Sequence, residues 1–234
     1  FATPEYANDL RQNLLYLASG AYDFNFKCSN DREIPGTLWK VIKDKRVSDD
    51  KRISAYGSAL NCLYDYIDSD YVVVVHHDTA LLKSGWDEIM LKDLDNRIPI
   101  IGCGSWYNSN AIYPTTVFMM FLSSILLKVK PDFNPVYCPD SFKKNGNRCI
   151  ERKVISDIDE AKMHGVQVGS VLKLDGGINA ICKYARMGYS WKTFNSHKSC
   201  LPYNLSSLSL EEADKCNLHN ERSIRDYSAD NDLF

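Results

Sequence analysis

The feature that most constrains the fold is the run Tyr71-Val-Val-Val-Val75, which ends abruptly in His76-His77-Asp78. A continuous run of β-branched residues is typical of a strand that is covered on both faces, as at the centre of a mostly parallel sheet. The three polar residues that follow mark the point where this strand must leave the apolar interior. The run therefore predicts an α/β fold with a polar cluster at one edge of its sheet.

Helical and extended patterns alternate along the rest of the chain. Helices are predicted over residues 4–17 with Thr3 as N-cap, 60–67, 84–94 with a capping-box-like start, and 176–188 with Asp175 as N-cap. Strands are predicted over residues 21–28, 98–102, 117–122 and 189–194. This alternation predicts one α/β domain over residues 1–234, with a Rossmann-like, mostly parallel central sheet flanked by helices. Residues 198–234 are predicted to form a peripheral C-terminal segment.

Composition excludes several classes of protein. Apolar residues make up 44% of the 234 residues and charged residues 25%, which argues against disorder and coiled coil. The net charge of −2 lacks the positive field that nonspecific nucleic-acid binding needs, so no nucleic-acid partner is expected. No apolar run approaches the roughly 20 residues that span a bilayer, so no transmembrane segment is expected.

The cysteines indicate a reducing location. None of the eight forms a Cys-x-x-Cys pair, and Cys62 and Cys182 fall within apolar helical stripes. With no signal-peptide pattern at the start, we expect reduced, mostly structural thiols and a cytoplasmic location. A disulfide between Cys138 and Cys149 is the main alternative.

Three polar clusters follow predicted strands: Asn30-Asp31, His76-His77-Asp78 and Asn195-Ser-His197. Ligands of open α/β sheets bind at the carboxyl ends of the strands, where polar groups converge. Two imidazoles and a carboxylate are costly in a core unless they are hydrogen-bonded or hydrated, so we interpret the second cluster as functional. His164, which precedes Gly165, is predicted to be a turn residue.

The segment from Asn61 to Trp86 resembles the nucleotide-sugar glycosyltransferases of the GT-A fold, particularly family 2-like members. The shared pattern is an Asn, a short helix, a Tyr-led apolar strand, an Asp-x-Asp motif and a helix that contains Trp. Downstream, Asp175 and the segment Arg186-Met-Gly-Tyr189 are similar to an acidic residue, a helix and an Arg-x-Gly-Tyr segment of that family. The resemblance covers residues 55–106 and 171–197.

The resemblance implies a GT-A fold and an enzyme that moves a sugar from a UDP- or GDP-sugar donor to a glycan or glycoconjugate acceptor. In an inverting enzyme of this kind a carboxylate accepts the proton of the acceptor hydroxyl, and Asp175 occupies the corresponding position. The residues expected to bind the nucleotide sugar are Thr3, Asn30, Asp31, Ser58, Asn61, His76, His77, Asp78 and Trp106.

The resemblance also implies a divalent ion, Mn²⁺ or Mg²⁺, held by Asp78 and His197. The first acid of the Asp-x-Asp motif is replaced by His76, which becomes a third candidate ligand. Since Mg²⁺ prefers oxygen ligands, this replacement favours a softer ion or weak metal dependence. Lys51 and Arg52 are the basic residues that could neutralise the diphosphate instead.

Three other classes of protein fit the sequence. A sugar nucleotidyltransferase would use a related sheet, although that class generally has a Gly-rich loop that Phe1-Ala-Thr-Pro-Glu5 lacks. A metal-dependent hydrolase would use His76, His77 and Asp78. A catalytically silent carbohydrate-binding module would account for the missing acid. The sequence also fits a piece of a longer enzyme.

Overall fold

The computed structural model describes residues 4–30, 33–45, 55–76, 79–81, 83–104, 113–137, 150–164, 166–194 and 203–204. Its α-helices are α1 (Pro4–Leu17), α2 (Ala55–Cys62), α3 (Trp86–Leu91), α4 (Ser123–Val129), α5 (Ile158–His164) and α6 (Gly176–Arg186), with a 3-10 helix at Tyr64–Tyr66. Its strands are β1 (Lys27–Asn30), β2 (Lys40–Lys43), β3 (Tyr71–Val75), β4 (Thr79–Ala80), β5 (Ile100–Gly104), β6 (Pro114–Leu122), β7 (Arg152–Val154), β8 (Val171–Lys173), β9 (Lys192–Phe194) and β10 (Tyr203–Asn204).

The central sheet has four strands in the order β3-β6-β5-β9. Strand β6 is antiparallel to both β3 and β5, whereas β5 and β9 are parallel. The prediction of an α/β fold with a central sheet and helices is confirmed, but the sheet is mixed rather than mostly parallel. The nine residues 105–113 between β5 and β6 are too few for a parallel crossover, which needs about a dozen, so β6 returns antiparallel.

Strand β3 is covered on both faces, as its valine run predicts. Val72 and Val74 pack with the apolar cluster that includes Phe121 and Ile178. Val73 and Val75 pack with the cluster on the opposite face, which includes Trp86. Within the described part of the chain, however, β3 lies at the edge of its sheet and not at the centre.

Helix α1 confirms the first predicted helix. Pro4 is its first residue, as expected for a side chain whose missing N–H has no partner at that position. Leu10, Leu14 and Leu17 recur on one face and are buried against the sheet. The carbonyl of Leu14 accepts a hydrogen bond from Trp86 Nε1 at 3.0 Å, which fixes α1 against α3.

The start of α3 differs from the predicted capping box. Gly85 occupies the N-cap position in the left-handed conformation (φ 68°), and no side chain caps the helix. Asp87 is instead buried and turns towards the loop after α1, where its carboxylate accepts hydrogen bonds from Ser19 N (2.9 Å) and Ser19 Oγ (2.6 Å). The capping prediction is wrong because this tertiary contact takes the carboxylate that a local cap would use.

Replacing Asp87 by Ala is expected to lower the free energy of unfolding by about 1–3 kcal/mol, because two donors of Ser19 lose their acceptor. Asp93→Ala is the matched control, since Asp93 forms a half-exposed ion pair with Lys192 at 2.6 Å, and such pairs contribute about 0–1 kcal/mol. Urea denaturation of both variants measures the difference. Equal losses would contradict a structural role for Asp87.

The structure also tests the sequence interpretations of His164 and of two cysteines. His164 is not a turn residue: it ends α5, is buried, and lies 3.7 Å from the Glu160 carboxylate. Cys62 and Cys182 are buried inside helices, as their structural interpretation predicts. Cys138 and Cys149 lie outside the described residues. No helix in the described part of the chain is long and apolar enough to cross a membrane.

Candidate functional site

The carboxyl end of β3 leads into the candidate site. His76 follows the last residue of the strand, and its ring lies 4.5 Å from the ring of Tyr56, centroid to centroid. Tyr56 lies in the first turn of α2 and donates a hydrogen bond from its hydroxyl to the carbonyl of Thr116 at 3.1 Å. Thr116 is near the start of β6, so His76 lies where β3 ends, β6 begins and α2 begins.

Asp175 lies at the same end of the sheet, where β3 ends and β6 begins. Its Oδ1 accepts a hydrogen bond from Ile178 N at 3.0 Å, so Asp175 is the N-cap of α6, as predicted. A Cβ on Gly177 would stand 3.1 Å from the amide nitrogen of Thr116, which places the start of α6 directly against the start of β6. Tyr56, which contacts His76, and the start of α6, which carries Asp175, therefore both approach Thr116 at this end of the sheet.

The environment of Asp175 makes its carboxylate more basic than that of an ordinary aspartate. Burial raises the pKa of Asp175, because the charged form loses hydration. The hydrogen bond from Ile178 N and the nearby charge of Lys173 lower the pKa, but they do not cancel the effect of burial. A half-buried carboxylate with a raised pKa at a sheet edge is suited to accepting a proton.

A segment that we call the strap, residues 131–134, holds the starts of α2 and α6 in place. A Cβ on Gly57 would stand 2.5 Å from the carbonyl oxygen of Phe133, and a Cβ on Gly176 would stand 2.0 Å from the same atom. Only glycine allows this approach at either position. Asn179 adds hydrogen bonds from its Nδ2 to the carbonyls of Asp132 (3.2 Å) and Asn134 (2.9 Å).

Two of the residues predicted to bind the nucleotide sugar contact the strap. Asn61 Nδ2 donates to Asp132 Oδ1 at 2.6 Å, and Asn61 Oδ1 accepts from Phe133 N at 3.1 Å. Ser58 Oγ lies 3.3 Å from Asn134 Oδ1. These contacts give both side chains a role in positioning the strap, and their role in nucleotide-sugar binding stays a prediction.

The remaining predicted site residues are divided between the described and the undescribed parts of the chain. Asn30 is buried at the end of β1, where its carbonyl accepts a hydrogen bond from Asp44 N at 2.9 Å. The others lie outside the described residues: Thr3, Asp31, His77, Asp78, Trp106 and His197.

The metal prediction depends mainly on those undescribed residues. Among the residues that the structure describes, no group of three or more His, Cys, Asp or Glu side chains could hold a metal ion. Of the three candidate ligands, only His76 is described. A single imidazole does not match the oxygen-rich ligand sets of Mg²⁺, so the described residues alone do not fit the ion.

Tyr56 and Thr116 lie at this end of the sheet, but the sequence analysis did not predict either of them as a site residue. Tyr56 precedes the helix predicted over residues 60–67, whereas the observed helix α2 begins at Ala55 and includes it. Thr116 precedes the predicted strand by one residue. No motif marks either residue, because their contact depends on the antiparallel return of β6.

No protein-family model, no curated protein and no solved structure matches this chain. The case for a function therefore depends on the residues and on the geometry of this edge.

Proposed function

We propose that the chain is a glycosyltransferase domain of the GT-A fold that transfers a sugar from a UDP- or GDP-sugar to a glycan or glycoconjugate. The observation that carries the proposal is the position of Asp175. Its half-buried carboxylate, with a raised pKa, lies at the start of α6 beside Thr116, at the edge where β3 ends in His76. In open α/β sheets ligands bind at the carboxyl ends of the strands, and β3 has its carboxyl end here.

In the proposed reaction the acceptor hydroxyl is placed next to Asp175. As the hydroxyl oxygen forms a bond to the anomeric carbon, its proton passes to the Asp175 carboxylate. The bond between the anomeric carbon and the diphosphate oxygen breaks on the opposite side, and the nucleoside diphosphate leaves with the electron pair. This displacement inverts the anomeric configuration.

The donor is proposed to lie across the ends of β1 and β3. Asn30, the last residue of β1, and Asp31 are the proposed contacts of the base and ribose, while His76, His77 and Asp78 are the proposed contacts of the diphosphate. A Mn²⁺ or Mg²⁺ ion held by Asp78, His197 and His76 would neutralise charge on the leaving group.

The proposal is tested by calorimetry with a panel of UDP- and GDP-sugars, with and without Mn²⁺. We expect one donor class to bind more tightly with Mn²⁺, and Asp78→Ala to weaken that binding about tenfold or more, the effect of losing one charged contact. Asp70→Ala is the matched control, because Asp70 precedes β3 at its other end and is exposed. The proposal fails if no nucleotide sugar binds, or if Asp78→Ala binds as well as Asp70→Ala.

A further inference from the structure

An apolar cavity of about 510 Å³ lies between β3 and the segment that leads into β1. Within the described part of the chain, β1 pairs with β2 alone and β3 pairs with β6 alone. The cavity is lined by residues 24–27, which lead into β1, and by all five residues of β3. We call this cavity the slot.

Strand β3 directs backbone groups into the slot. Ser123 N donates a hydrogen bond to Asp70 O at 2.9 Å, so Asp70 is bonded to the chain that continues from β6. Since successive residues of an antiparallel strand direct their backbone groups to alternate sides, Val72 and Val74 also face β6. The N–H and C=O groups of Tyr71, Val73 and Val75 therefore point the other way, into the slot.

Lys27, the first residue of β1, directs its backbone groups into the slot from the opposite side. The carbonyls of Phe26 and Asn30 accept hydrogen bonds from Lys40 N and Asp44 N, both at 2.9 Å, so alternate residues of β1 face β2. The backbone groups of Lys27 and Ser29 consequently face away from β2. Of these two residues Lys27 lines the slot, so the slot has strand-spaced backbone groups of β3 along one side and those of Lys27 on the other.

The two strands that border the slot run in the same direction. Ser29 Oγ bonds to the carbonyl of Ala59 (2.6 Å), while Lys27 Nζ bonds to the carbonyl of Tyr66 (2.6 Å), so β1 runs opposite to α2 and the following 3-10 helix. Strand β3 also runs opposite to them, because His76 at its end contacts Tyr56 at the start of α2. A strand in the slot can therefore run parallel to both neighbours.

Both faces of the slot are apolar. Leu60, Leu63 and Tyr64 line one face, and Leu14 and Trp86 line the other. A strand in the slot would place successive side chains against these two faces in turn. Strands buried on both faces are nearly continuous runs of Val, Ile and Leu, so we expect a mainly apolar occupant.

We propose that the slot binds one extended peptide segment of about five β-branched apolar residues, as a strand parallel to β1 and β3. The segment joins the β2-β1 pair to the β3-β6-β5-β9 sheet, and so continues two strand pairings that the fold already makes. It spans about 17 Å, the length of a five-residue strand such as β3. This proposal is independent of the glycosyltransferase reaction.

The test is hydrogen exchange of the full chain, followed by NMR, with an acetylated peptide of five Val and Ile residues carrying two Lys residues for solubility. We expect the amides of Val73 and Val75 to become at least about tenfold better protected, while Val72 and Val74, already paired with β6, change little. We also expect the melting temperature to rise as the peptide concentration rises.

A peptide of the same sequence with alternate amides N-methylated is the matched control, because it keeps the side chains but loses half of its donors. Its failure to protect Val73 and Val75 would support strand pairing. Equal protection by the N-methylated peptide, or no protection of Val73 and Val75 by either peptide, would overturn the proposal.

Discussion

Replacing Asp175 by Asn is expected to abolish sugar transfer while leaving the fold and donor binding intact. Asn caps helices about as well as Asp, so the hydrogen bond from Ile178 N that begins α6 is retained. An amide cannot accept the proton of the acceptor hydroxyl, and losing a general base costs about 10²–10⁴-fold in rate. Release of nucleoside diphosphate at saturating donor measures the rate, and calorimetry measures donor binding.

Asp157→Asn is the matched control for this substitution. The Asp157 carboxylate accepts hydrogen bonds at the start of α5, from Asp159 N (2.9 Å) and Glu160 N (2.8 Å), and it is exposed. We expect Asp157→Asn to leave turnover unchanged. Full turnover in Asp175→Asn, or equal losses in both variants, would contradict the assignment of Asp175 as the base.

Because the pKa of Asp175 is raised, the difference in stability between the native chain and Asp175→Asn depends on pH. Because the pKa in the folded state lies above the unfolded value, the carboxyl group favours folding most below the unfolded pKa, and this contribution is lost as the pH rises through the folded pKa. The free energy of unfolding of the native chain, relative to Asp175→Asn, should therefore fall as the pH rises above the pKa of an ordinary aspartate. The acid limb of the rate profile should lie above the pKa of an ordinary aspartate.

Replacing Gly176 by Ala is expected to be the most destabilising of the conservative changes in the described residues. The added methyl carbon would lie 2.0 Å from the carbonyl oxygen of Phe133, a backbone atom that cannot turn aside. Overpacking of this kind costs about 1–3 kcal/mol or more, which corresponds to a fall in melting temperature of roughly 2–12 °C for a chain of this size. Urea and thermal denaturation measure the loss.

Gly177→Ala is the control, because it adds the same methyl group one position later in the same helix. There the new carbon would lie 3.1 Å from the amide nitrogen of Thr116, so a small shift relieves the contact. We expect a clearly smaller loss of stability than in Gly176→Ala. Equal stability of the two variants would show that the strap does not fix the start of α6.

The local features of the fold were predictable because they depend on neighbouring residues. Pro4 begins α1, Asp175 caps α6, and the valine run forms β3 with both faces covered. The start of α1 and the cap of α6 depend on interactions within a few residues of the pattern that indicates them, and the composition of the valine run itself indicates burial on both faces. Apolar periodicity therefore predicted these elements, although β1 and β5 begin a few residues later than expected.

The features that the sequence did not predict depend on distant partners. Asp87 has the pattern of a capping residue, but Ser19 takes its carboxylate. The strap shows no periodicity, and its importance comes from Gly57 and Gly176, which approach it from two helices. The mixed sheet likewise follows from the antiparallel return of β6. Of the candidate site, Asp175 and His76 could be identified from sequence, whereas Tyr56 and Thr116 required the structure.

The most direct test of the central claim is a crystal structure of the chain with UDP or GDP and Mn²⁺ bound. The account predicts that the diphosphate lies next to the residues that follow β3, and that the Asp175 carboxylate faces the cleft above it. A nucleotide bound elsewhere, or an Asp175 carboxylate enclosed by packed protein away from the nucleotide, would contradict it.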